Sequence, residues 1–134
     1  MRFASGDRLG PFEIVAPLGA GGMGEVYRAR DARLDRIVAL KLLPSELVEP
    51  GSRVQRFRQE ARAIARLTHP SICGLYDVGE DGAAVFLVME YLDGATLQAR
   101  LEGGPLPLPL ALRTAAGIAD ALDHAHRHGV IHRD

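Results

Sequence analysis

Apolar and polar positions alternate, or apolar positions run together, through much of the first ninety residues, as they do in β-strands. This pattern predicts strands over 11–18, 25–30, 37–43, 72–78 and 84–90, the last two joined by the turn GEDGA. Between the third and fourth strands the period changes to 3.6 residues, which predicts a helix over 52–68. The first part of the chain is therefore expected to form a sheet with one helix.

The remainder of the chain has helical patterns only. The sequence predicts a short helix over 93–104 beginning near Thr96, an extended proline-rich segment over 105–110, and a long helix over 111–129 whose end is marked by Gly129. Apolar residues cover more than half the circumference of the long helix, so we expect it to have neighbours on more than one side. Strands followed by helices predict an α+β fold with a lobe boundary near Leu92–Gly94.

The composition excludes several classes of protein. The chain has 134 residues, of which 47% are hydrophobic and 25% charged, and its net charge of −1 gives no sign of a nucleic-acid partner. It has no run of about 18 apolar residues that would form a membrane segment, and its N-terminus lacks the apolar core of a signal peptide. The single cysteine, Cys73, fits a reducing compartment and is predicted to be a buried structural thiol. We therefore expect a cytoplasmic protein.

Three glycines, Gly19, Gly21 and Gly24, follow the first predicted strand in the order G-x-G-x-x-G. A dinucleotide fingerprint would need a helix directly after them, whereas Val26 and Tyr27 begin a predicted strand. A strand–loop–strand hairpin remains, in which glycines let backbone N–H groups come close to phosphate oxygens. A plain hairpin turn without a ligand is the alternative.

Lys41 is the only lysine among the 16 basic residues and lies inside the apolar segment IVALKLL. A buried ammonium group needs an anion, and the candidates are the phosphates of a nucleotide beneath the hairpin and the carboxylate of Glu60. On the helical wheel Glu60 lies at the margin of the apolar stripe, so it points partly toward the sheet. The alternatives are a lysine that reaches water at a strand edge and a glutamate paired with Arg56 on an exposed helix face.

Together these segments resemble a eukaryotic-type (Hanks-type) serine/threonine protein kinase in its bacterial style. LGAGGMGEVYRA resembles the glycine-rich loop of that family, VALK its V-A-I-K strand, and RFRQEARAIARLTHPSI its C-helix. VFLVMEYLDGATL resembles the hinge, and HAHRHGVIHRD resembles the approach to the catalytic loop H-R-D-x-x-x-x-N.

The resemblance implies the α+β fold of that family. Residues 1–10 would be an N-terminal extension, and 11–92 a kinase N-terminal lobe and hinge with an antiparallel five-stranded sheet and a C-helix. Residues 93–134 would be the first helices of the helical C-terminal lobe.

The resemblance also implies roles for single residues, with ATP and Mg²⁺ as cofactors and an unidentified protein as substrate. Lys41 would hold the α- and β-phosphates and pair with Glu60, and Asp134 would be the base that accepts the proton of the substrate hydroxyl. The residues implied to contact ATP are Leu18, Gly19, Gly21, Gly24, Val26, Ala39, Lys41, Met89 (the gatekeeper), Glu90, Leu92 and Asp93. His132 and Arg133 would be structural, although a solvent-exposed loop arginine remains the alternative for Arg133.

The sequence departs from the family pattern after Asp134. The family's Mg²⁺-binding asparagine and D-F-G aspartate, and the A-P-E that ends its activation loop, are not among these residues. We therefore expect that the 134-residue chain is the first half of a kinase domain and does not catalyse alone. A non-catalytic nucleotide-binding module, similar to a pseudokinase half domain, is the alternative.

A metal site at His124 and His128 is a further alternative. The two residues are four apart on one helix, a spacing that can chelate a metal. No third ligand is evident, and exposed histidines near a helix C-terminus explain them equally well.

Overall fold

Six antiparallel strands form one sheet in this computed structural model, which describes residues 2–21, 24–43, 59 and 61–132. The strands are β1 (Arg8–Leu9), β2 (Phe12–Gly21), β3 (Gly24–Asp31), β4 (Arg36–Leu42), β5 (Leu75–Asp81) and β6 (Ala84–Glu90). Their order across the sheet is β1-β2-β3-β4-β6-β5. The predicted α+β class is confirmed, and the structure adds the two-residue strand β1 to the five strands that were predicted.

One face of the sheet carries the hydrophobic core. Along β3, buried residues alternate with more exposed ones, and along β4 the core residues Val38, Leu40 and Leu42 are every second residue, so alternate side chains point to this face. The core residues are Leu9, Phe12, Ile14, Tyr27, Ala29, Val38, Leu40, Leu42, Phe86 and Val88. Burial of these side chains fixes the register of the strands, because a slip of one residue would turn them all to the other face.

The sheet curls so that its two edges approach each other. The N–H of Gly10, in the turn between β1 and β2, donates to Asp81 Oδ2 at the end of β5 over 2.7 Å. Inside the curl the rings of Phe12 and Phe86 meet edge to face, with their centroids 5.9 Å apart. The core therefore lies on the concave face of the sheet.

Three helices complete the described structure. Residues 59 and 61–65 are helical and belong to α1. Helix α2 (Leu97–Leu101) begins after Thr96, whose Oγ1 accepts the N–H of Ala99 over 3.1 Å, so its predicted start is confirmed. Helix α3 (Leu108–Arg127) ends before Gly129, whose φ of 75° is the left-handed conformation typical of a residue that follows a helix.

Several element boundaries differ from the sequence prediction; β2 continues to Gly21 rather than ending at residue 18, and α2 ends at Leu101 rather than at residue 104. Helix α1 ends at residue 65 rather than 68. Strand β5 begins at Leu75 rather than residue 72 and continues to Asp81, because Asp81 pairs with Ala84 and leaves a turn of only two residues. Helix α3 begins at Leu108, inside the segment predicted to be extended. Proline is accepted in the first helical turn because the backbone N–H that it lacks would have no partner within the helix there.

The chain divides into two compact units. The first comprises Met1–Arg66 and Gly74–Tyr91 and contains the sheet and α1; the second comprises Leu67–Cys73 and Leu92–Asp134 and contains α2 and α3. In the described part of the second unit, α3 leaves apolar side chains exposed, namely Leu108, Leu112, Ile118 and Leu122. Cys73 is half-buried rather than buried as predicted. No helix among the described residues has the length and apolar character needed to cross a membrane.

Candidate functional site

The three glycines lie in a hairpin of two strands. Strands β2 and β3 pair Gly19 with Val26, Ala20 with Glu25, and Gly21 with Gly24, while residues 22 and 23 lie outside the described residues. The predicted strand–glycine–strand arrangement is therefore confirmed, since strand β3 begins at Gly24, where a dinucleotide fingerprint would continue into a helix.

Two of these glycines have geometry suited to a close ligand. Gly24 has a φ of 108°, which L side chains rarely adopt. A Cβ added to Gly19 would have no heavy atom within 4 Å. The backbone at Gly19 is therefore open to an approaching group.

Lys41 lies on β4 directly beside the end of this hairpin. It pairs with Val26 of β3 on one side and with Leu87 of β6 on the other. Two residues along the strand, Ala39 pairs with Arg28 of β3 and with Met89 of β6. Directly opposed residues in a sheet point to the same face.

The predicted contact residues on three strands therefore share one face of the sheet. Val26, Ala39, Lys41 and Met89 point away from the concave core face, which is lined from the same strands by Tyr27, Leu40 and Val88. Lys41 is half-buried and Ala39 is 8% exposed. This face, which we call the Lys41 face, combines the ammonium group of Lys41 with the small apolar side chains of Val26 and Ala39.

Glu90 ends β6 with its side chain already engaged. Its N–H donates to the carbonyl of Gly74 over 2.8 Å, and its Oε2 accepts the N–H of Gly74 over 3.0 Å. Glu90 pairs with Val38, so its side chain points to the core face and not to the Lys41 face. Because its N–H is engaged with Gly74, the ATP contact that the family resemblance implies for Glu90 would fall to its carbonyl oxygen.

The other predicted site residues divide into three groups. Leu18 lies on β2 and is exposed. Leu92 and Asp93 are exposed residues of the second unit, and so is His132. Glu60, Arg133 and Asp134 lie outside the described residues, so the predicted Lys41–Glu60 pair and the predicted base remain predictions.

Arg28 is a residue of the Lys41 face that the sequence interpretation missed. Its guanidinium carbon lies 5.2 Å from the ring centroid of Tyr91, the residue after Glu90. Its Nε is buried and has no hydrogen-bond partner among the described residues. The alternation of Val26, Arg28 and Arg30 was the available signal, since it places Arg28 on the same face as Val26.

The rings of His124 and His128 stack with that of His69; His128 is exposed, as one alternative expected, whereas His124 is not. The ring of His124 lies between His69 at 5.2 Å and His128 at 4.4 Å, measured between centroids. His124 is half-buried, and its buried Nε2 has no hydrogen-bond partner among the described residues. Within the described ranges no group of three or more histidine, cysteine, aspartate or glutamate side chains is arranged to hold a metal ion.

Comparison with known proteins decides the family. The family model described as "Protein kinase domain" matches residues 12–134. This chain belongs to the protein kinase family. The six-stranded curled sheet with α1 thus corresponds to the N-terminal lobe of a kinase, and α2 and α3 to the start of the helical lobe.

Bacterial serine/threonine kinases are among the most similar curated relatives of this kinase chain. It is 45% identical over 130 residues to the probable serine/threonine-protein kinase SCO3848 of Streptomyces coelicolor, a match that covers 93% of this chain and 19% of the relative. It is 40% identical over 126 residues to the serine/threonine-protein kinase PrkC of Bacillus subtilis, covering 93% and 19% respectively. The kinase chain thus spans about a fifth of the length of these relatives.

Solved structures show the same likeness. The kinase chain is similar to the PknI kinase domain of Mycobacterium tuberculosis, C20A mutant, with a TM-score of 0.88 and 34% sequence identity. The match covers 100% of this chain and 56% of that one. The fold predicted from the family resemblance is therefore confirmed.

Proposed function

We propose that this chain binds ATP on the Lys41 face, as the nucleotide-binding part of a kinase domain that transfers the γ-phosphoryl group to serine or threonine hydroxyls of proteins. The observation that carries the proposal is the register of β3, β4 and β6. It aligns Val26, Ala39, Lys41 and Met89 on one face beside the glycine hairpin.

The residues present fit a nucleoside triphosphate. Adenine would cover Val26 and Ala39, whose small side chains leave a flat apolar surface. The phosphates would lie under the hairpin, where Gly19 and Gly24 let backbone N–H groups approach them, and the ammonium of Lys41 would neutralise part of their charge. Leu18 and the backbone of Glu90 would complete the contacts from the first unit.

The transfer step needs groups that only the family resemblance supplies. Glu60 would orient Lys41, Asp134 would orient the substrate hydroxyl, and Leu92 and Asp93 would contact the adenine edge and the ribose. Mg²⁺ balances the charge that develops on the transferred group, yet residues 1–134 contain no asparagine and no D-F-G segment to hold it. We therefore propose that these 134 residues bind ATP and do not by themselves turn it over.

The nucleotide site is tested by labelling its lysine. ATP that carries a reactive acyl phosphate on its γ-phosphate acylates amines held beside the bound phosphates. Because the chain has one lysine, the α-amino group is the only other amine of the unmodified chain and serves as an internal control. We expect peptide mass spectrometry to find Lys41 acylated, and excess ATP to prevent this while acylation of the α-amino group continues. Acylation of Lys41 that excess ATP leaves unchanged would refute the site.

The transfer step is tested separately. The 134-residue chain and any longer product of its gene are incubated with γ-labelled ATP and a generic protein substrate. We expect label on serine or threonine only with a longer product, and its loss in Lys41→Met. Steady turnover by residues 1–134 would contradict the proposed need for further Mg²⁺ ligands.

A non-catalytic nucleotide-binding module is the second candidate, because the described residues of the Lys41 face account for nucleotide binding alone. This function predicts that ATP protects Lys41 from acylation in every product of the gene. It also predicts that no product transfers a phosphoryl group. For either function we propose a cytoplasmic location, where ATP is present, and no nucleic-acid partner, given the net charge of −1.

A further inference from the structure

The chain segment before β1 is bound to the back of the glycine hairpin. Tyr27 on β3 is fully buried, and its hydroxyl accepts the N–H groups of Arg2 at 2.9 Å and Phe3 at 3.2 Å. The same hydroxyl donates to Glu25 Oε2 over 2.5 Å, and that oxygen also accepts the N–H of Arg2 over 2.9 Å. One phenol and one carboxylate thus hold two consecutive backbone N–H groups.

The other end of the segment is bound to the first strand of the hairpin. Gly6 N–H donates to the carbonyl of Ile14 on β2 over 2.9 Å, and Ile14 N–H donates to the carbonyl of Asp7 over 2.8 Å. Between the two ends, Asp7 Oδ2 accepts the N–H of Ala4 over 2.7 Å, which closes a tight turn. Residues 2–7, which we call the N-terminal strap, therefore cross both strands of the hairpin.

The strap lies on the side of the hairpin opposite the proposed nucleotide. Glu25 directly follows Gly24 and pairs with Ala20, so the bound carboxylate is one residue from the glycine segment. Glu25 and Tyr27 point to the core face, whereas Val26 between them points to the Lys41 face. A restraint at Glu25 therefore acts on the hairpin without occupying the nucleotide side.

Packing alone does not account for these contacts. The ring of Tyr27 fills the core and meets the ring of Phe3 edge to face at 5.9 Å, and a phenylalanine would provide the same surface. The hydroxyl adds nothing to the core, and its three hydrogen bonds all go to the strap or to Glu25. The polar groups are therefore present for the attachment itself.

We propose that the N-terminal strap holds the glycine hairpin in its nucleotide-binding position, with Tyr27 and Glu25 as positioning residues. The inference rests on the proposed function, because it assigns the hairpin to the phosphates. A hairpin that is free to move must be ordered when it closes on ATP, and this ordering weakens binding. A hairpin already held by the strap avoids part of that cost.

The test compares the binding of ATP and adenosine to Tyr27→Phe and to the unchanged chain, by calorimetry. Tyr76→Phe, the same change at an exposed tyrosine of β5, is the control. We expect Tyr27→Phe to weaken ATP binding about three- to tenfold, which corresponds to the net free energy of about one hydrogen bond. Adenosine binding should change less than about twofold, because adenosine has no phosphates for the hairpin to hold. Tyr76→Phe should change neither.

Hydrogen exchange links this effect to the strap. In Tyr27→Phe the amides of Arg2 and Phe3 should exchange rapidly, and Glu25→Gln, which keeps the shape but removes the charge, should give an intermediate result in both measurements. Rapid exchange with unchanged ATP affinity, or equal losses for ATP and adenosine, would overturn the proposal. If the unchanged chain binds ATP no better than Lys41→Met, the nucleotide site fails and the strap's role fails with it. If Lys41→Met weakens binding and Tyr27→Phe does not, only the strap's role fails.

Discussion

His69 Nε2 and Asp120 Oδ2 lie 2.8 Å apart and join the segment before β5 to α3 within the second unit. The other ring nitrogen, Nδ1, accepts the N–H of Ser71 over 3.0 Å. Because an accepting Nδ1 carries no proton, Nε2 must carry it and donate it to the carboxylate. The two contacts together select one neutral tautomer of the ring.

Removing this acceptor should loosen α3. We expect Asp120→Ala to lower the free energy of unfolding by about 0.5–1.5 kcal/mol, a typical net value for a hydrogen bond. Asp123→Ala is the matched control on the same helix, because its pair with Arg127 is solvent-exposed on both sides and should contribute about 0.5 kcal/mol or less. The protection of the α3 amides against hydrogen exchange is measured in both variants. Equal protection in the two would show that the His69 contact does not stabilise α3.

Two glycines of the sheet should respond to alanine in opposite ways. A Cβ on Gly79 would overlap the ring of Phe86, which is buried in the core. We expect Gly79→Ala to destabilise the chain by about 1–3 kcal/mol, as overpacking does, which chemical denaturation would measure.

Gly19→Ala is the counterpart in the glycine hairpin. Its added Cβ meets no protein atom within 4 Å, so the free energy of unfolding should change little. ATP affinity should fall about three- to tenfold, because the methyl group prevents one close backbone–phosphate hydrogen bond. A chain that keeps its ATP affinity with alanine at this position would place the phosphates elsewhere.

The Glu25–Tyr27 pair predicts how stability depends on pH. The hydrogen bond from Tyr27 and that from the Arg2 N–H hold the pKa of the Glu25 carboxyl below its ordinary value of 4.5. The stabilisation is therefore complete above pH 4.5 and is lost as the pH falls through the lowered pKa. Burial, and then the hydrogen bond to Glu25, raise the pKa of Tyr27 above its ordinary value of 10.0. Stability is therefore also lost as the pH rises above 10, where the unfolded chain releases this proton more readily.

Denaturation midpoints measured across the pH range check both limits. Glu25→Gln should remove the loss of stability at low pH that this pair causes. It should also reduce, but not abolish, the loss of stability at high pH. Tyr27→Phe should remove the loss of stability at high pH. An acid limb of the same steepness in Glu25→Gln and in the unchanged chain would assign that limb to other carboxyl groups.

The sequence predicts best where local pattern and local chemistry agree. The β-forming residues after Gly24 excluded a dinucleotide-binding helix, and the single lysine inside an apolar strand indicated the Lys41 face. The prolines of the segment before α3 misled the prediction, because Pro109 in a first helical turn is as acceptable as in an extended segment.

Contacts between distant positions could not be predicted from one sequence. Sequence separations of 51 residues for His69 and Asp120, and of 25 for Arg2 and Tyr27, leave no periodic signal. Tyr27 was correctly placed on a strand, but the use of its hydroxyl depends on where the strap lies. Arg28 was partly predictable. The alternation along β3 gives the face of the sheet on which it lies, whereas its contact with Tyr91 depends on where the chain runs after β6.

Two alanines on neighbouring strands test the assignment of the two faces. Ala29 on β3 is fully buried on the core face, and Ala39 on β4 is 8% exposed on the Lys41 face between Arg28 and Met89. We expect Ala29→Leu to lower the free energy of unfolding by about 1–3 kcal/mol through overpacking, with ATP affinity lost only to the extent that the chain unfolds. Ala39→Leu should cost less stability, because the flexible side chain of Arg28 can give way.

The same Ala39→Leu chain should bind ATP at least about tenfold more weakly, since its added carbons occupy the surface assigned to adenine and a clash of this kind costs more than a kilocalorie per mole. Calorimetry with ATP and chemical denaturation on both variants separate the two effects. If Ala39→Leu binds ATP normally while Ala29→Leu does not, the nucleotide would have to lie on the concave side of the sheet. That side is filled by core side chains, so the whole assignment of the site would then be wrong.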